Sequence, residues 1–178
     1  MLFRSFRKNV ITNDNWPSEP PGGWYDPNSC YSRIGDIVRT LFIVKYLDGV
    51  DFLAEKIVEI CKTEGLDCKR SYEAKDEGYY AVHIDIKDSF EITSEKWDTD
   101  TIDMYIEIQI TTQLQEVIRK LLHKYYEEKR QNSFIECKKW EWDYKSDEFS
   151  VNYLGHVLHY LEGTIVEIRD KQMTKKRE

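Results

Sequence analysis

Two stretches of the chain, 80–87 and 104–111, alternate between hydrophobic and polar residues. A period of two is typical of β-strands that have one apolar and one polar face. His83, Glu107 and Gln109 occupy polar positions in this alternation. We therefore expect these three side chains to project from the face of a sheet that lies opposite the aliphatic one.

The remaining hydrophobic pattern predicts further strands and helices. Apolar, β-rich runs at 36–44 and 66–73 predict two more strands, and apolar residues at three-and-four spacing predict helices at 50–61, 114–125 and 151–170. The charged and short polar residues of 88–100 predict a loop, with room for an extra hairpin edge. This order of elements favours an α+β fold: a mixed β-sheet of about five strands flanked by helices.

Proline distribution and length indicate how the chain is organised. All four prolines fall within residues 1–30, with two adjacent glycines, so this segment is predicted to be an irregular N-terminal arm. A chain of 178 residues is long enough for one domain with a sizeable core. Residues 131–178 are interpreted as a helical extension that packs on that same domain.

Charge and cysteine usage exclude some classes of protein. A formal net charge of −7 argues against broad binding to nucleic acid, which needs a basic face. The four cysteines form no CxxC pair, as expected of free thiols in a reducing compartment, and a structural zinc site is not indicated. No apolar run is long enough for a membrane span or a secretory signal, so we expect a cytoplasmic protein with no membrane association.

Two carboxylates stand out as candidates for chemistry. Asp36 begins an apolar strand, where an acid is also common for purely structural reasons in turns. Glu107 lies in the middle of a strand, where acids are depleted, so it faces either solvent on an open sheet or a functional site. Phosphoryl transfer uses such pairs, because positioned carboxylates hold Mg²⁺ and accept protons, but many pairs of strand acids fit that description.

The residues around these acids carry a resemblance to a known family. The segments 36–40 (DIVRT), 77–83 (EGYYAVH), 107–112 (EIQITT) and 123–126 (HKYY) follow one another in this order. Together they resemble the synthetase domain of RelA/SpoT-type alarmone enzymes over roughly residues 31–130. The resemblance implies a nucleotidyltransferase-like fold and a Mg²⁺-dependent transfer of pyrophosphate from ATP to a nucleotide acceptor.

The resemblance also implies roles for particular residues. It places Mg²⁺ on Asp36 and Glu107, counts His83 with them as catalytic, and stacks Tyr79 on the acceptor guanine. The other expected nucleotide-binding residues are Gln109, Arg33, Arg39, Lys45 and His123. Structural alternatives exist for the aromatic and imidazole groups: cross-strand packing for Tyr79, a hydrogen-bonded sheet histidine for His83 and a helix-surface histidine for His123.

The chain departs from the family at several positions. Family synthetases usually have Gly where Arg39 stands and Arg where Leu41, Tyr80 and Thr111 stand. Several expected phosphate ligands are therefore missing. Two alternatives stay open beside alarmone synthesis: a toxin-type relative that modifies the 3′ end of tRNA and is paired with an antitoxin protein, and a catalytically degenerate nucleotide-sensing or protein-binding domain. The apolar last helix is also compatible with a homo-oligomer.

Overall fold

The computed structural model describes residues 18–19, 23–24, 30–35, 37–76, 78–93, 97–131 and 140–176. Its elements, in chain order, are α1 (Cys30–Arg33), β1 (Val38–Val44), α2 (Leu47–Thr63), β2 (Asp67–Ala74), β3 (Tyr80–Thr93), β4 (Thr99–Thr112), α3 (Gln113–Gln131), a 3₁₀-helix (Trp140–Trp142) and α4 (Asp147–Lys175). None of the helices in these ranges is long and apolar enough to cross a lipid bilayer.

The strands form one mixed sheet with the order β1-β4-β3-β2. Short connections join β2 to β3 and β3 to β4, which requires those neighbours to be antiparallel. The long connection from β1 to β2, which contains α2, takes the chain from one edge of the sheet to the other. The predicted α+β fold with a mixed sheet and flanking helices is confirmed, with four strands in the described residues against about five predicted.

The prediction of a loop over 88–100 was wrong for most of that segment. Both β3 and β4 are 14 residues long, so strand structure continues to Thr93 and resumes at Thr99. Polar cross-strand pairs hold this part of the hairpin together: the Ser89 hydroxyl lies 2.7 Å from the Asp103 carboxylate, and the Lys87 ammonium lies 3.1 Å from the same group. The alternation also continues here, because Phe90 and Ile92 are less exposed than Ser89, Glu91 and Thr93.

The last helix begins earlier than the apolar spacing predicts. It starts at Asp147 rather than near residue 151, because the Ser146 side chain accepts a hydrogen bond of 3.1 Å from the backbone N–H of Phe149. This N-cap satisfies one of the amide groups left without a partner in the first turn. The capping residue therefore determines where the helix begins.

The chain divides into two compact units. The first comprises the described parts of Met1–Thr40 with Ile57–Arg70 and Ile84–Gln109; the second comprises Leu41–Lys56, Ser71–His83 and the described parts of Ile110–Glu178. The first buries Ile34, Cys61, Ile84 and Ile86, and the second buries Val50, Ala54, Ala81, Val82, Ile110, Ile118 and Leu122. The domain boundaries at residues 30 and 130 stay predictions.

Two glycines bring the backbone before β3 against α4 in the second unit. Gly78 has a φ of +77°, which favours glycine, and a Cβ added there would lie 2.5 Å from the carbonyl oxygen of Asn152. A Cβ added at Gly155 would collide with the carbonyl oxygen of Gly78. The contact therefore requires both residues to lack a side chain.

We predict that Gly155→Ala lowers the free energy of unfolding by about 1–3 kcal/mol, because its methyl group has no space against rigid backbone. Gly163 is a matched control on the same helix, where an added Cβ would lie 4.0 Å from the nearest side-chain atom, Leu47 Cδ2. Gly163→Ala should raise the free energy of unfolding by about 0.4–1 kcal/mol. Urea denaturation of both variants measures these effects. Equal stability of Gly155→Ala and the unaltered chain would contradict the contact.

The second unit also buries a carboxyl group. Glu162 is 5% exposed, and its carboxyl group lies near the side chains of Thr112 and Gln115. Burial raises the pKa of Glu162, although nearby Thr112 and Gln115 oppose the shift. Burial acts on His159 as well, but it disfavours a positive charge there. Together with the nearby His156, it lowers the pKa of the His159 imidazole. Both groups are therefore driven towards their neutral forms.

These directions predict how stability depends on pH. Folding raises the pKa of the Glu162 carboxyl above its ordinary value of 4.5, so the folded chain binds the carboxyl proton more tightly than the unfolded chain does. The free energy of unfolding therefore falls as the pH rises from 4.5 through the pKa of the folded state. Glu162→Gln should therefore melt at a higher temperature than the unaltered chain at neutral pH, and the difference should shrink towards pH 4.5. Melting curves across this pH range test the expectation.

Glu167 provides the matched control for this experiment. It lies on the same helix, is exposed, and its pKa is lowered by a hydrogen bond from Lys171. Glu167→Gln should bring no stabilisation at neutral pH. A pH-independent difference between Glu162→Gln and the unaltered chain would contradict the assignment to Glu162.

Candidate active site

The first unit contains an open cavity of about 720 Å³. Three neighbouring strands each contribute two residues at alternate positions, which places all six on one face of the sheet. The lining residues are Asp67 and Lys69 on β2, Asp85 and Lys87 on β3, Tyr105 and Glu107 on β4, with Ser32, Arg33 and Gly35 around α1. The cavity is therefore built on the polar face that the alternation in β3 and β4 predicts.

Charges of both signs line this cavity. The cations are Arg33, Lys69 and Lys87, and the anions are Asp67, Asp85 and Glu107. Guanidinium and ammonium groups bind phosphate oxygens through charge-assisted hydrogen bonds, and carboxylates accept protons from hydroxyl groups. The cavity therefore carries the chemical groups needed to bind a phosphorylated ligand and to activate a hydroxyl group.

Glu107 is the most buried charged side chain of the cavity, with the residue only 8% exposed. Its Oε2 atom accepts a hydrogen bond from Nε of Arg39, and its Oε1 atom accepts one of 3.1 Å from Nε2 of Gln109. The sequence left open whether this mid-strand acid faces solvent or a site. The structure shows that it lines the cavity and is bonded to two of the predicted nucleotide-binding residues.

The resemblance places Mg²⁺ on two acids, Asp36 and Glu107. Asp36, the other acid expected to hold the metal, lies outside the described residues. Both oxygens of Glu107 already accept hydrogen bonds from Arg39 and Gln109. Within the described part of the chain, no group of three or more His, Cys, Asp or Glu side chains could hold a metal ion. The described residues around Glu107 therefore do not form a metal site by themselves, and Mg²⁺ on Asp36 and Glu107 stays a prediction.

Lys87 is held in position beside the cavity. Its hydrogen bond to Asp103 raises the pKa of the Lys87 ammonium, and hydrogen bonds from Ser89 and Lys87 lower the pKa of the Asp103 carboxyl. Both groups are exposed to solvent, which screens their attraction. Lys87 is positively charged at neutral pH, as a lysine ordinarily is, so it can serve as a cation for a phosphate.

Arg33 is oriented by the backbone. Its Nη1 atom donates to the carbonyl oxygen of Trp24 at 2.6 Å, and its Nη2 atom donates to that of Gly23 at 3.0 Å. These bonds fix a guanidinium at the cavity wall. Arg33 therefore lines the cavity, and its role towards a nucleotide stays a prediction.

Four other predicted site residues belong to the second unit: Tyr79, His83, Lys45 and His123. Tyr79 and His83 are half-buried, whereas Lys45 and His123 are exposed. The Lys75 ammonium lies 5.9 Å from the Tyr79 ring centroid, and that of Lys45 lies 5.1 Å from the Tyr46 ring centroid. None of the four lines the cavity of the first unit, and their roles towards a nucleotide stay predictions.

Tyr80 is a packing residue in the second unit. Its hydroxyl lies 2.8 Å from Nδ1 of His156, and its ring stacks on His159 with centroids 3.7 Å apart and planes 3° from parallel. The side chain that stands where the family usually has Arg thus contacts α4.

Sequence reasoning missed several cavity residues, namely Asp67, Lys69, Asp85, Lys87 and Tyr105. A signal for three of them was present: Asp85 and Lys87 continue the polar alternation of His83, and Tyr105 precedes Glu107 by two positions. Asp67 and Lys69 lie in a strand where charged residues occur on both faces, so the pattern there does not reveal which face is functional.

Comparison with known proteins relates this architecture to solved structures. No protein-family model matches the sequence, and no curated protein matches it. The small alarmone synthetase 2 from Bacillus subtilis is similar in structure, with a TM-score of 0.53 and 19% identity over 78% of this chain and 69% of that one. A GTP pyrophosphokinase family protein from Streptococcus pneumoniae has a TM-score of 0.54 and 17% identity over 84% and 67%.

A protein from Streptococcus mutans extends the similarity to nearly the whole chain, with a TM-score of 0.60 and 15% identity over 98% of this chain and 76% of its own. At these identities the comparison concerns the fold. We conclude that this chain has the fold of a RelA/SpoT-type synthetase domain, as its motifs predict.

Proposed function

We propose that the chain is a RelA/SpoT-like nucleotide pyrophosphokinase that transfers pyrophosphate from ATP to the ribose 3′-hydroxyl of a guanine nucleotide. The observation that carries the proposal is the cavity, which combines Arg33, Lys69 and Lys87 with the oriented carboxylate Glu107 on one sheet face. The names of two structural relatives, a small alarmone synthetase and a GTP pyrophosphokinase family protein, support the same class of reaction.

The reaction fits the groups of the cavity. The acceptor 3′-oxygen would attack the β-phosphorus of ATP, the bond from that phosphorus to the α,β-bridging oxygen would break, and AMP would leave with the electron pair. The hydroxyl proton must pass to a base as the new bond forms. Phosphoryl transfer of this kind depends mainly on positioning and on neutralising the charge of the phosphate oxygens.

The proposal gives four of the cavity residues a task. Lys69, Lys87 and Arg33 bind oxygens of the triphosphate, and Arg33 can bind two of them with its planar guanidinium. Glu107 accepts the proton of the attacking hydroxyl. Tyr79 stacks on the acceptor base, as the resemblance implies.

The remaining predicted site residues keep the supporting roles given by the resemblance. His83 assists catalysis, and Gln109, Lys45 and His123 contact nucleotide. Mg²⁺ on Asp36 and Glu107 stays a prediction from the resemblance alone.

The decisive experiment measures transfer itself. The purified chain is incubated with γ-labelled ATP and, in separate reactions, with GDP, GTP, ADP or bulk tRNA, and the products are resolved. Label should move to GDP or GTP. Glu107→Gln should lower the rate by about 100-fold or more, the scale expected when a general base is lost. Glu91→Gln serves as a matched control, because Glu91 is an exposed strand acid that does not line the cavity.

The other outcomes discriminate between the alternatives. Transfer to tRNA alone would overturn the proposal in favour of the toxin-type relative. Absence of transfer to every acceptor from a folded chain would favour a nucleotide-binding domain without catalysis. Full activity in Glu107→Gln would show that this carboxylate has no part in the reaction.

Three further expectations accompany the proposal. A cytoplasmic location, an antitoxin partner and assembly into a homo-oligomer all stay predictions from the sequence. Exposed apolar residues on α4, including Val157, Leu161, Ile165 and Ile168, are compatible with assembly through this helix.

A further inference from the structure

Two cysteines of the first unit lie on elements that are joined by a short turn. Cys61 belongs to the last turn of α2, and Cys68 is the second residue of β2. Only residues 64–66 separate the two elements. A hydrogen bond of 2.8 Å from the backbone N–H of Leu66 to the carbonyl oxygen of Cys61 closes this turn. The end of the helix and the start of the strand are therefore held against each other.

The alternation along β2 shows which way Cys68 points. Asp67 and Lys69 line the cavity on the polar face of the sheet, so Cys68, which lies between them, belongs to the opposite face. On β3 that opposite face carries Ile84 and Ile86, which are 0% and 8% exposed. The Cys68 side chain therefore points towards the core, on the side of the sheet away from the cavity.

The two thiols meet on this side of the sheet. Both are free; Cys61 is 2% exposed, whereas Cys68 is half-buried. Burial and a hydrogen bond with Cys68 raise the pKa of the Cys61 thiol, so Cys61 stays protonated at neutral pH. Cys68 is therefore the member of the pair that a dissolved oxidant can reach, and Cys61 is an enclosed thiol beside it.

We propose that Cys61 and Cys68 form a reversible disulfide when hydrogen peroxide oxidises the chain. The Cys68 sulfur attacks one peroxide oxygen, the O–O bond breaks, and Cys68 becomes a sulfenic acid while water is released. The Cys61 sulfur then attacks the Cys68 sulfur. The S–S bond forms, the S–O bond breaks, and the hydroxyl group leaves as water with the proton of Cys61. The thiol pair loses two electrons and the peroxide gains them, and an added thiol reductant reverses the change.

The position of this disulfide gives it a consequence for the cavity. Asp67 and Lys69, the neighbours of Cys68 along the chain, both line the cavity. The disulfide would tie this part of β2 to the end of α2. The modification itself goes beyond the proposed function and requires no nucleotide. Only its effect on a phosphorylated ligand rests on that function.

Peptide mapping tests the proposal on the unaltered full-length chain. Trypsin cleaves after Lys56, Lys62 and Lys69, so the two cysteines fall on separate peptides, 57–62 and 63–69. The chain is treated with hydrogen peroxide, free thiols are alkylated, and the monomer band of a non-reducing gel is digested. Mass spectrometry should find the two peptides joined, and dithiothreitol should separate them.

Two other results of the mapping would overturn the proposal. One is recovery of both peptides in alkylated form after peroxide treatment, which would show that the thiols do not react. The other is a disulfide that joins either peptide to Cys30 or Cys137 in place of the pair. Neither result depends on the folding of a variant.

Single variants assign a role to each thiol. In Cys61→Ala, the sulfenic acid of Cys68 has no neighbouring thiol, so it should accumulate and react with dimedone. In Cys68→Ala, Cys61 should be oxidised about tenfold more slowly or less, because it is enclosed and protonated. Equal oxidation rates of the two cysteines would contradict the order of reaction.

Lys69→Cys in the Cys68→Ala background is the matched control for side-chain direction. It moves the thiol by one residue to the face that lines the cavity, so no disulfide with Cys61 should form. A disulfide that forms there as fast as the one between Cys61 and Cys68 would overturn the proposal, because flexibility of the turn would then explain both. Melting curves confirm that each variant is folded.

The outcomes separate this inference from the proposed function. Joined peptides together with no pyrophosphate transfer by the reduced chain would support the disulfide and reject the pyrophosphokinase. Transfer by the reduced chain together with two alkylated peptides after peroxide treatment would support the enzyme and reject the disulfide.

Discussion

The burial of one carboxylate governs the organisation of the first unit. Glu107 sits in the middle of β4 and is 8% exposed, so its charge has to be compensated by the protein. Arg39 reaches it from the neighbouring strand β1, and Gln109 reaches it from two positions along the same strand. Strand order thus sets the position of the counter-charge Arg39, and the alternation along β4 sets that of the hydrogen-bond donor Gln109. The polar face of the sheet can then carry a cavity without an unpaired buried charge.

A second constraint acts on the backbone of the second unit. Gly78 and Gly155 approach so closely that neither position has space for a side chain. Gln115 links α3 to the same contact. Its Oε1 atom accepts a hydrogen bond of 3.3 Å from the backbone N–H of Tyr80, and its Nε2 atom donates one of 3.3 Å to the carbonyl oxygen of Gly155. Gly78, which precedes Tyr79, is therefore required to be glycine for a structural reason. That reason does not depend on any contact between Tyr79 and a ligand.

The sequence predicted the fold class and the polar face well, because strict alternation in β3 and β4 reports directly on which side chains share a face. It failed from Asp88 to Thr93, where the charged and short polar residues were weighted above the alternation of Phe90 and Ile92 with exposed polar neighbours. The sequence did not predict the ion pair between Arg39 and Glu107, because Arg39 was interpreted as a nucleotide-binding residue. The strand order that places Arg39 beside Glu107 depends on packing between segments that are far apart in the chain.

The cations of the cavity are placed by bonds within the protein. Arg33 is held by two carbonyl oxygens, and Lys87 is held by Asp103. With three cations and three carboxylates among its lining residues, the cavity has no excess of positive charge, and the whole chain carries −7. Attraction of a phosphorylated ligand by a general field is therefore weak. Any selectivity for phosphate must come from the preset directions of individual donors, whose orientation costs little when the ligand arrives. The loss or movement of one such donor should therefore change which ligand is bound more than it changes the fold.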